Sequence, residues 1–489
     1  MAIKGFDHRV RLHSKTHTEG QNTYYFGHDG KDIHGTIETY LFLPRSIGIN
    51  PKTYSRDQFY QDLKSAYLLK LAPTSLSGLA GSLSPSIRLL NEAADRLALE
   101  RDDAALRELD VRHRLFGRLV SETVASFLHQ ARGEKHSSEQ RKTVEYFLQH
   151  APALCRRLRE IYRADLADIE GYRSAYHCND EHLSLLMEQA AYQLAERVNR
   201  KLPPGESCEE AQRLMAFARA ESAYRETQKY PSLASSKRNF ENLVSRISML
   251  ENHMTSVLYL SARNQPDGAV SRELLMSLAA GIAMIFATAV AFLAHVQYEN
   301  WTSTFFVILV ISYMFKDRIK AQAQTYLAHK SKRFFYDFRT RVYGLTRRNA
   351  IGYKRETFGF VKPEQLDDEI RRSRSRDEHD YARLEARDEL VICYKRVNHF
   401  DHSRITSSYA GFGVDGITNV SGFDLTRMTQ KMEDSKRTVY LPLGNRASKV
   451  QGRRVYRLYV VTRASLDGQS AIARHCLVLN RSGIKRLLN

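Results

Sequence analysis

The run LLMSLAAGIAMIFATAVAFLAH, Leu274 to His295, carries no charged residue over 22 positions. As a helix it is about 33 Å long at about 1.5 Å per residue, enough to cross a hydrocarbon core about 30 Å thick. Core helices of soluble domains rarely run this far without a polar break, so the segment predicts a membrane span. A second apolar run, WTSTFFVILVISYMF, covers Trp301 to Phe315. It is short for a span, but only a brief turn separates it from the first. Tyr298, Trp301 and Tyr313 also stand where interfacial aromatics stand. Together the two runs predict a transmembrane hairpin over 274–315.

The flanks give its orientation. Lys316, Arg318, Lys320, Lys330, Lys332 and Arg333 follow the second run, Arg263 and Arg272 precede the first, and the turn has no basic residue. By the positive-inside rule both termini face the cytoplasm. The expected location is the inner (plasma) membrane of a bacterium, with the bulk of the chain cytoplasmic. Ala279, Ala283, Ala287 and Ala291 recur every four residues and form a small-residue stripe that lets helix backbones approach closely in lipid. The stripe suits packing inside the hairpin or a seam between two copies.

Net charge is +19, and its placement says more than its size. Residues 316–489 hold 36 Lys/Arg against 19 Asp/Glu, whereas residues 1–273 hold 38 against 35. The excess therefore follows the hydrophobic segment. Anionic lipid headgroups would attract such a region by about 1 kcal/mol per basic residue near the surface. Nucleic acid is the other polyanion that basic residues interleaved with aromatics suit. The candidate contacts for either are Lys316, Arg318, Lys320, Lys332, Arg333, Arg453, Arg454 and Arg457. The bilayer is already within reach and is the preferred partner. A protein partner or a homo-oligomer is compatible with both.

The rest of the chain predicts an α+β protein: a small N-terminal β-rich region (1–75), a helical bundle (85–264), the two-helix transmembrane hairpin (274–315), a basic juxtamembrane helix running to Gly344 with a charged linker after it (316–388), and a C-terminal, mostly β, basic domain (389–489). IETYLFLP, ELVICYKRV and RRVYRLYVVTR alternate as strands do. Phe240, Leu243, Ile247, Leu250, Met254 and Val257 step by threes and fours as a heptad seam. The five cysteines, at 155, 178, 208, 393 and 476, form no CxxC pair. That argues for a reducing compartment and against a zinc cluster.

Motifs of chemistry are sparse. AGFGVDG supplies a GxGxxG at Gly411, Gly413 and Gly416. A dinucleotide site needs a helix to open there, and the following ITNVSG is β-branched, so a glycine-rich turn is expected. HCNDEH (His177 to His182) offers His/Glu and Cys/His pairs at i,i+4 spacing, read as a helix N-terminal turn. HFDHS (His399 to Ser403) is a similarly weak metal signal, and His8, His13, His17, His28 and His34 near the N-terminus are read as mostly surface residues. NVSGFD (Asn419 to Asp424) resembles half of the cyclic-di-GMP-binding PilZ signature. Asp424 stands where that family needs glycine and no paired arginine motif precedes it, so nothing is carried over. No catalytic motif and no cofactor or metal site is found. The expected function is that of a membrane-anchored scaffold, adaptor or signalling protein, with a membrane-tethered nucleic-acid binder or an enzyme with an unfamiliar site as alternatives.

Overall fold

A computed structural model describes the chain apart from residues 1–2, 28–29, 135, 201–206, 233–239, 268, 298–302, 332–335, 346–348, 376–387, 435, 445 and 489. Four strands open it: β1 (Phe6–Leu12), β2 (His17–Tyr25), β3 (Ile33–Pro44) and, after the short helix α1 (Arg56–Asp62), β4 (Leu63–Leu71). A helical insertion follows: α2 (Leu76–Ala80), α3 (Pro85–Glu100), α4 (Asp103–Gly133), α5 (Ser137–Glu160), α6 (Glu170–Asn199), α7 (Glu209–Thr227) and α8 (Phe240–Ser256). Strand β5 (Tyr259–Pro266) leads into two long helices, α9 (Ala269–Gln297) and α10 (Ser303–Ser331). The chain then returns through β6 (Phe338–Tyr343), β7 (Ala350–Val361), α11 (Asp368–Arg374), β8 (Glu389–Phe400), α12 (His402–Ser408), β9 (Val414–Asp424) and α13 (Thr426–Gln430). A hairpin of β10 (Lys436–Leu443) and β11 (Arg446–Arg453) precedes β12 (Tyr456–Leu466), β13 (Gln469–Asn480) and β14 (Gly483–Leu488).

Twelve of these strands form one antiparallel sheet in the order β1-β2-β9-β4-β5-β6-β7-β8-β3-β12-β13-β14. The N-terminal β-rich stretch and the C-terminal β stretch are therefore one body in space. Twist curls the sheet until its edges nearly meet. The β13–β14 turn reaches the β1–β2 turn, where Ile484 N–H donates to the Lys15 carbonyl at 2.6 Å. Strand polarity then fixes the two ends of this near-barrel. The helical insertion leaves and re-enters at one end, between β4 and β5. Helices α9 and α10 leave and re-enter at the other, between β5 and β6.

Both ends are closed by apolar packing. At the bundle end Leu69, Leu71, Leu260, Phe400 and Ile417 share a core with Leu115, Phe116 and Leu119 of α4. At the opposite end α1 pushes Phe59 inward, its ring stacked 4.4 Å from Phe358 and tilted on Tyr394 and Phe423. Ser55 starts α1 with a capping box to Gln58, which satisfies first-turn donors and fixes where the plug begins.

Several expectations from the sequence change here. The helix read through Gly344 ends at Ser331, and β6 takes Phe338–Tyr343 because its residues find partners in both β5 and β7. The heptad seam of α8 is covered only in its second half: Leu250 and Met254 are buried, while Phe240 is 64% exposed. HCNDEH lies in the middle of α6 rather than at a helix start. Among the described residues one helix is long and apolar enough to cross a membrane, over Met276–Gln297. Only 11% of its apolar window is buried within the protein. Helix α10 packs along α9, but its apolar part ends at Phe315, before Lys316. Ala279 and Ala283 of the alanine stripe are fully buried; Ala287 and Ala291 are half-buried.

The glycine-rich segment shows why it is glycine-rich. Gly411 and Gly413 adopt φ of +86° and +51°, and β9, not a helix, follows. At Gly416 a Cβ would stand 2.0 Å from the Tyr24 carbonyl oxygen of β2, whereas at Gly422 on the same strand it would meet nothing within 4 Å. Gly416→Ala should therefore cost about 1–3 kcal/mol by overpacking, and Gly422→Ala far less. Thermal unfolding of the two variants in detergent, followed by circular dichroism, checks the contrast.

Candidate functional site

Alternation along each strand sends every second side chain inward, and the middle of the near-barrel is polar. β8 contributes Tyr394, Arg396 and Asn398; β7 contributes Lys354 and Glu356; β9 contributes Asn419 and Ser421. β2 adds Asn22 and Tyr24, β4 adds Tyr67, and β1 adds His8. Most of these are nearly inaccessible: Arg396 is 4% exposed and Asn22, Asn398 and Asn419 are 1% exposed.

Buried polar groups must be paired to be tolerated, and most of these are. The Tyr67 hydroxyl donates to Asn398 Oδ1 at 3.0 Å, and Asn398 Nδ2 donates to the Tyr24 hydroxyl at 2.7 Å. Lys354 Nζ donates to Glu356 Oε2 at 2.8 Å, and the Tyr394 hydroxyl donates to the same oxygen. Burial pushes the Lys354 ammonium below its usual range and Glu356 partly restores it. Burial also holds the Tyr394 phenol well above its usual value.

Arg396 is the exception. Its Nη1 donates to Asn419 Oδ1 at 2.6 Å and reaches Ser421 Oγ at 3.4 Å, and the guanidinium lies 5.3 Å from the Tyr394 ring centroid. All three partners are neutral, and its Nε–H meets no acceptor. Among the described inward-facing strand residues the basic side chains are Lys354 and Arg396 and the one carboxylate is Glu356, which accepts from Lys354 and stands opposite Arg396 in the β7–β8 register. Arg396 therefore has no carboxylate among its hydrogen-bond partners.

That charge borders a cavity of about 100 Å³ on the seam side of the near-barrel, lined among others by His8, Asn22, Arg396, Ser421, Thr462 and His475. His8 Nδ1 lies 2.8 Å from Asn22 Oδ1, and burial, against the help of that bond, pushes the imidazole down to about 4. His8 is thus neutral at pH 7. With Nδ1–H given to Asn22, its Nε2 is left as an acceptor. Neither His8 Nε2 nor Asn22 Nδ2 has a partner. Arg396, Asn22 and His8 thus line the cavity, and Arg396 Nε, Asn22 Nδ2 and His8 Nε2 are buried there without a hydrogen-bond partner. No pairing joins β1 to β14 among the described strands, and half-buried Val10, Gly20 and Leu487 line the way in.

The sequence-derived candidates fall elsewhere. Lys316, Arg318 and Lys320 lie on α10 beyond its apolar part; Lys332 and Arg333 lie outside the described residues. Arg453 ends β11, and Arg454 pairs with Glu433 at 2.7 Å. Arg457 is on β12 facing outward. The HCNDEH groups are spent on bundle packing. His182 Nε2 lies 2.8 Å from Ser121 Oγ, Glu181 pairs with Arg246, and Asp180 accepts from Tyr224 and Tyr230 at 2.8 and 2.7 Å. One group with metal-ligand geometry is found among the described residues: Asp32, His34 and His399, with ligand atoms within 4.8 Å of one another. The two His Nδ1 atoms lie 3.1 Å apart across the β3–β8 ladder on its outer face, and Asp32 also accepts from the His402 amide. Reading the two histidines separately missed this pair, because only strand register brings them together. Arg396 gave a fainter signal: a charged residue at an inward parity of ELVICYKRVNHF.

No protein family matches the chain, and neither a curated protein nor a solved structure matches it.

Glu356→Gln leaves two buried cations uncompensated and should destabilise the protein by about 3–5 kcal/mol. Arg396→Met removes the unpaired charge and should leave stability unchanged or raise it. Urea unfolding monitored by fluorescence in detergent gives both values, and a large loss in the methionine variant would mean that Arg396 is a structural group.

Proposed function

We propose that this chain is a membrane-anchored ligand-binding protein of the signalling type, whose near-barrel takes up a small oxyanion. The observation that carries this is Arg396, a buried guanidinium without a carboxylate partner, facing a cavity with an unsatisfied donor and an unsatisfied acceptor. About three waters would fill the same space at about 30 Å³ each, but water does not neutralise the charge. An anion does, and a desolvated arginine recognises carboxylate or phosphate oxygens strongly. The acceptor at His8 favours an anion that also carries a hydroxyl, such as monohydrogen phosphate or a small hydroxycarboxylate.

The anchor completes the reading. Helix α9 spans the bilayer and α10 returns across it as a hairpin, with both termini cytoplasmic. The supports are the exposed apolar surface of α9, the shared packing of the two helices, and the basic residues that begin at Lys316. Strand β5 runs directly from α8 of the bundle into α9, so it joins bundle, barrel wall and membrane through eight residues. Its pairing with β4 is confined to Tyr67↔Leu260 and Leu68↔Tyr259. Strand β5 is thus a barrel-wall strand continuous with both the bundle and α9.

Calorimetry on the full chain in detergent should show saturable binding of phosphate or a hydroxycarboxylate at neutral pH, with sulfate and acetate weaker. Arg396→Met should abolish the heat while the protein stays folded. Indifference to every anion in the set would leave the cavity to water and end this reading. Reporter fusions at residues 1 and 489 should both read cytoplasmic; an external C-terminus would mean that α10 does not cross.

A further inference from the structure

The β10–β11 hairpin is the least protected part of the fold. Nearly every residue of both strands is exposed, and a two-stranded hairpin is at best marginally stable alone in water. Its two faces follow from its register. On one, Val439 opposes Val450, Leu441 opposes Ser448 and Leu443 opposes Arg446; on the other, Lys436 opposes Arg453 and Tyr440 opposes Lys449. Leu443 is 71% and Tyr440 66% exposed. Residues 436–453 hold five Lys/Arg and no Asp or Glu. The hairpin therefore has an apolar face flanked by Arg437 and Arg446, and a basic face with one tyrosine.

Its place in the fold says what covers it. β9 ends and β12 begins at the same end of the near-barrel from which α9 and α10 depart. The roots of both structures pack on α1. Arg56 and Tyr60 of α1 bind Asp337, next to the start of β6, at 3.4 and 3.1 Å. Asp62, at the other end of α1, binds Arg427 of α13 at 2.8 Å, and Lys431 donates to the Thr53 carbonyl. A seven-residue helix spans about 10 Å, so the segment that follows α10 at Asp337 and the segment that leads to the hairpin at Arg427 are held about one short helix length apart.

We infer that the β10–β11 hairpin docks into the interface of an anionic bilayer beside α9 and α10. Val439, Leu441, Leu443 and Val450 enter the boundary of the acyl region. Arg437, Arg446, Lys449 and Arg453 reach headgroup phosphates on their long stems, and Tyr440 sits at the headgroup level. Basic residues near an anionic leaflet each favour it about fivefold, so four of them together hold the hairpin down without an irreversible insertion. The inference rests on the anchored reading above but concerns a separate surface.

The test uses the full chain in nanodiscs of anionic or zwitterionic lipid, with Leu441→Trp introduced in a Trp301→Phe background. Docking predicts blue-shifted emission and quenching by brominated lipid in anionic discs, weaker in zwitterionic ones and reduced at 1 M salt, where the Debye length falls to about 3 Å. Changing Arg437, Arg446, Lys449 and Arg453 to Gln should remove the quenching while the circular dichroism spectrum persists. Carbonate extraction of native membranes reads the anchor separately. A retained chain with an unquenched tryptophan overturns the hairpin alone; an extracted chain that is still quenched by vesicles overturns only the anchor; extraction without quenching overturns both. Displacement of the tryptophan from lipid by an oligonucleotide at physiological salt would assign the surface to nucleic acid and overturn the proposal.

Discussion

Strand β3 is the constraint on which the rest of the structure depends. It pairs along all twelve residues with β8 and along eight with β12, so a segment near the N-terminus is inserted between two strands of the last 150 residues. Its register decides what the interior contains. With Ile37 opposite Arg396 and Ala464, the inward row is Ile37, Thr39 and Leu41 and the outward row Glu38, Tyr40 and Phe42. A slip of one residue would exchange the rows. It would bury Glu38, which now pairs outside with Arg463 and Lys395, and would uncover the outer apolar patch that α11 protects through Ile370.

Pairing of such distant segments makes closure late and costly in chain entropy. The two insertions lower that cost by folding locally. The bundle is a set of sequential helices with ion pairs of its own, such as Arg225 with Glu188 and Arg159 with Glu221. The long helices α9 and α10 are neighbours in sequence. Each insertion then sits at one end of the near-barrel, and the apolar closure at both ends removes bulk water from the middle. That dryness gives Arg396 its meaning. In water an unpaired guanidinium is unremarkable; between two apolar plugs it is a standing cost that a small anion would offset.

Much of this was legible in the residues, and the reasons for the remainder are physical. The apolar run of α9, the alternation in ELVICYKRV and RRVYRLYVVTR, and the absence of a helix after the GxGxxG are local signals, and local structure follows them. The helix read through Gly344 failed because the partners of β6 lie in β5 and β7, and a six-residue strand has little periodicity of its own. HCNDEH misled as a helix start because its polarity belongs to a buried network completed by Arg246, Tyr224 and Tyr230 from other helices. The pairing of His34 with His399, 365 residues apart, had no sequence pattern to announce it.

The sequence by itself determined the apolar helix, the strands of strong alternation and the crowding of basic charge after residue 315, because hydrophobic runs, alternation and charge act through near neighbours. Only the tertiary structure decided that the two β stretches form one sheet and that Arg396 faces inward with neutral hydrogen-bond partners. It alone also put the exposed basic hairpin and the apolar helices at the same end. Those facts depend on register and strand polarity between segments hundreds of residues apart, and no property of either segment taken alone specifies them.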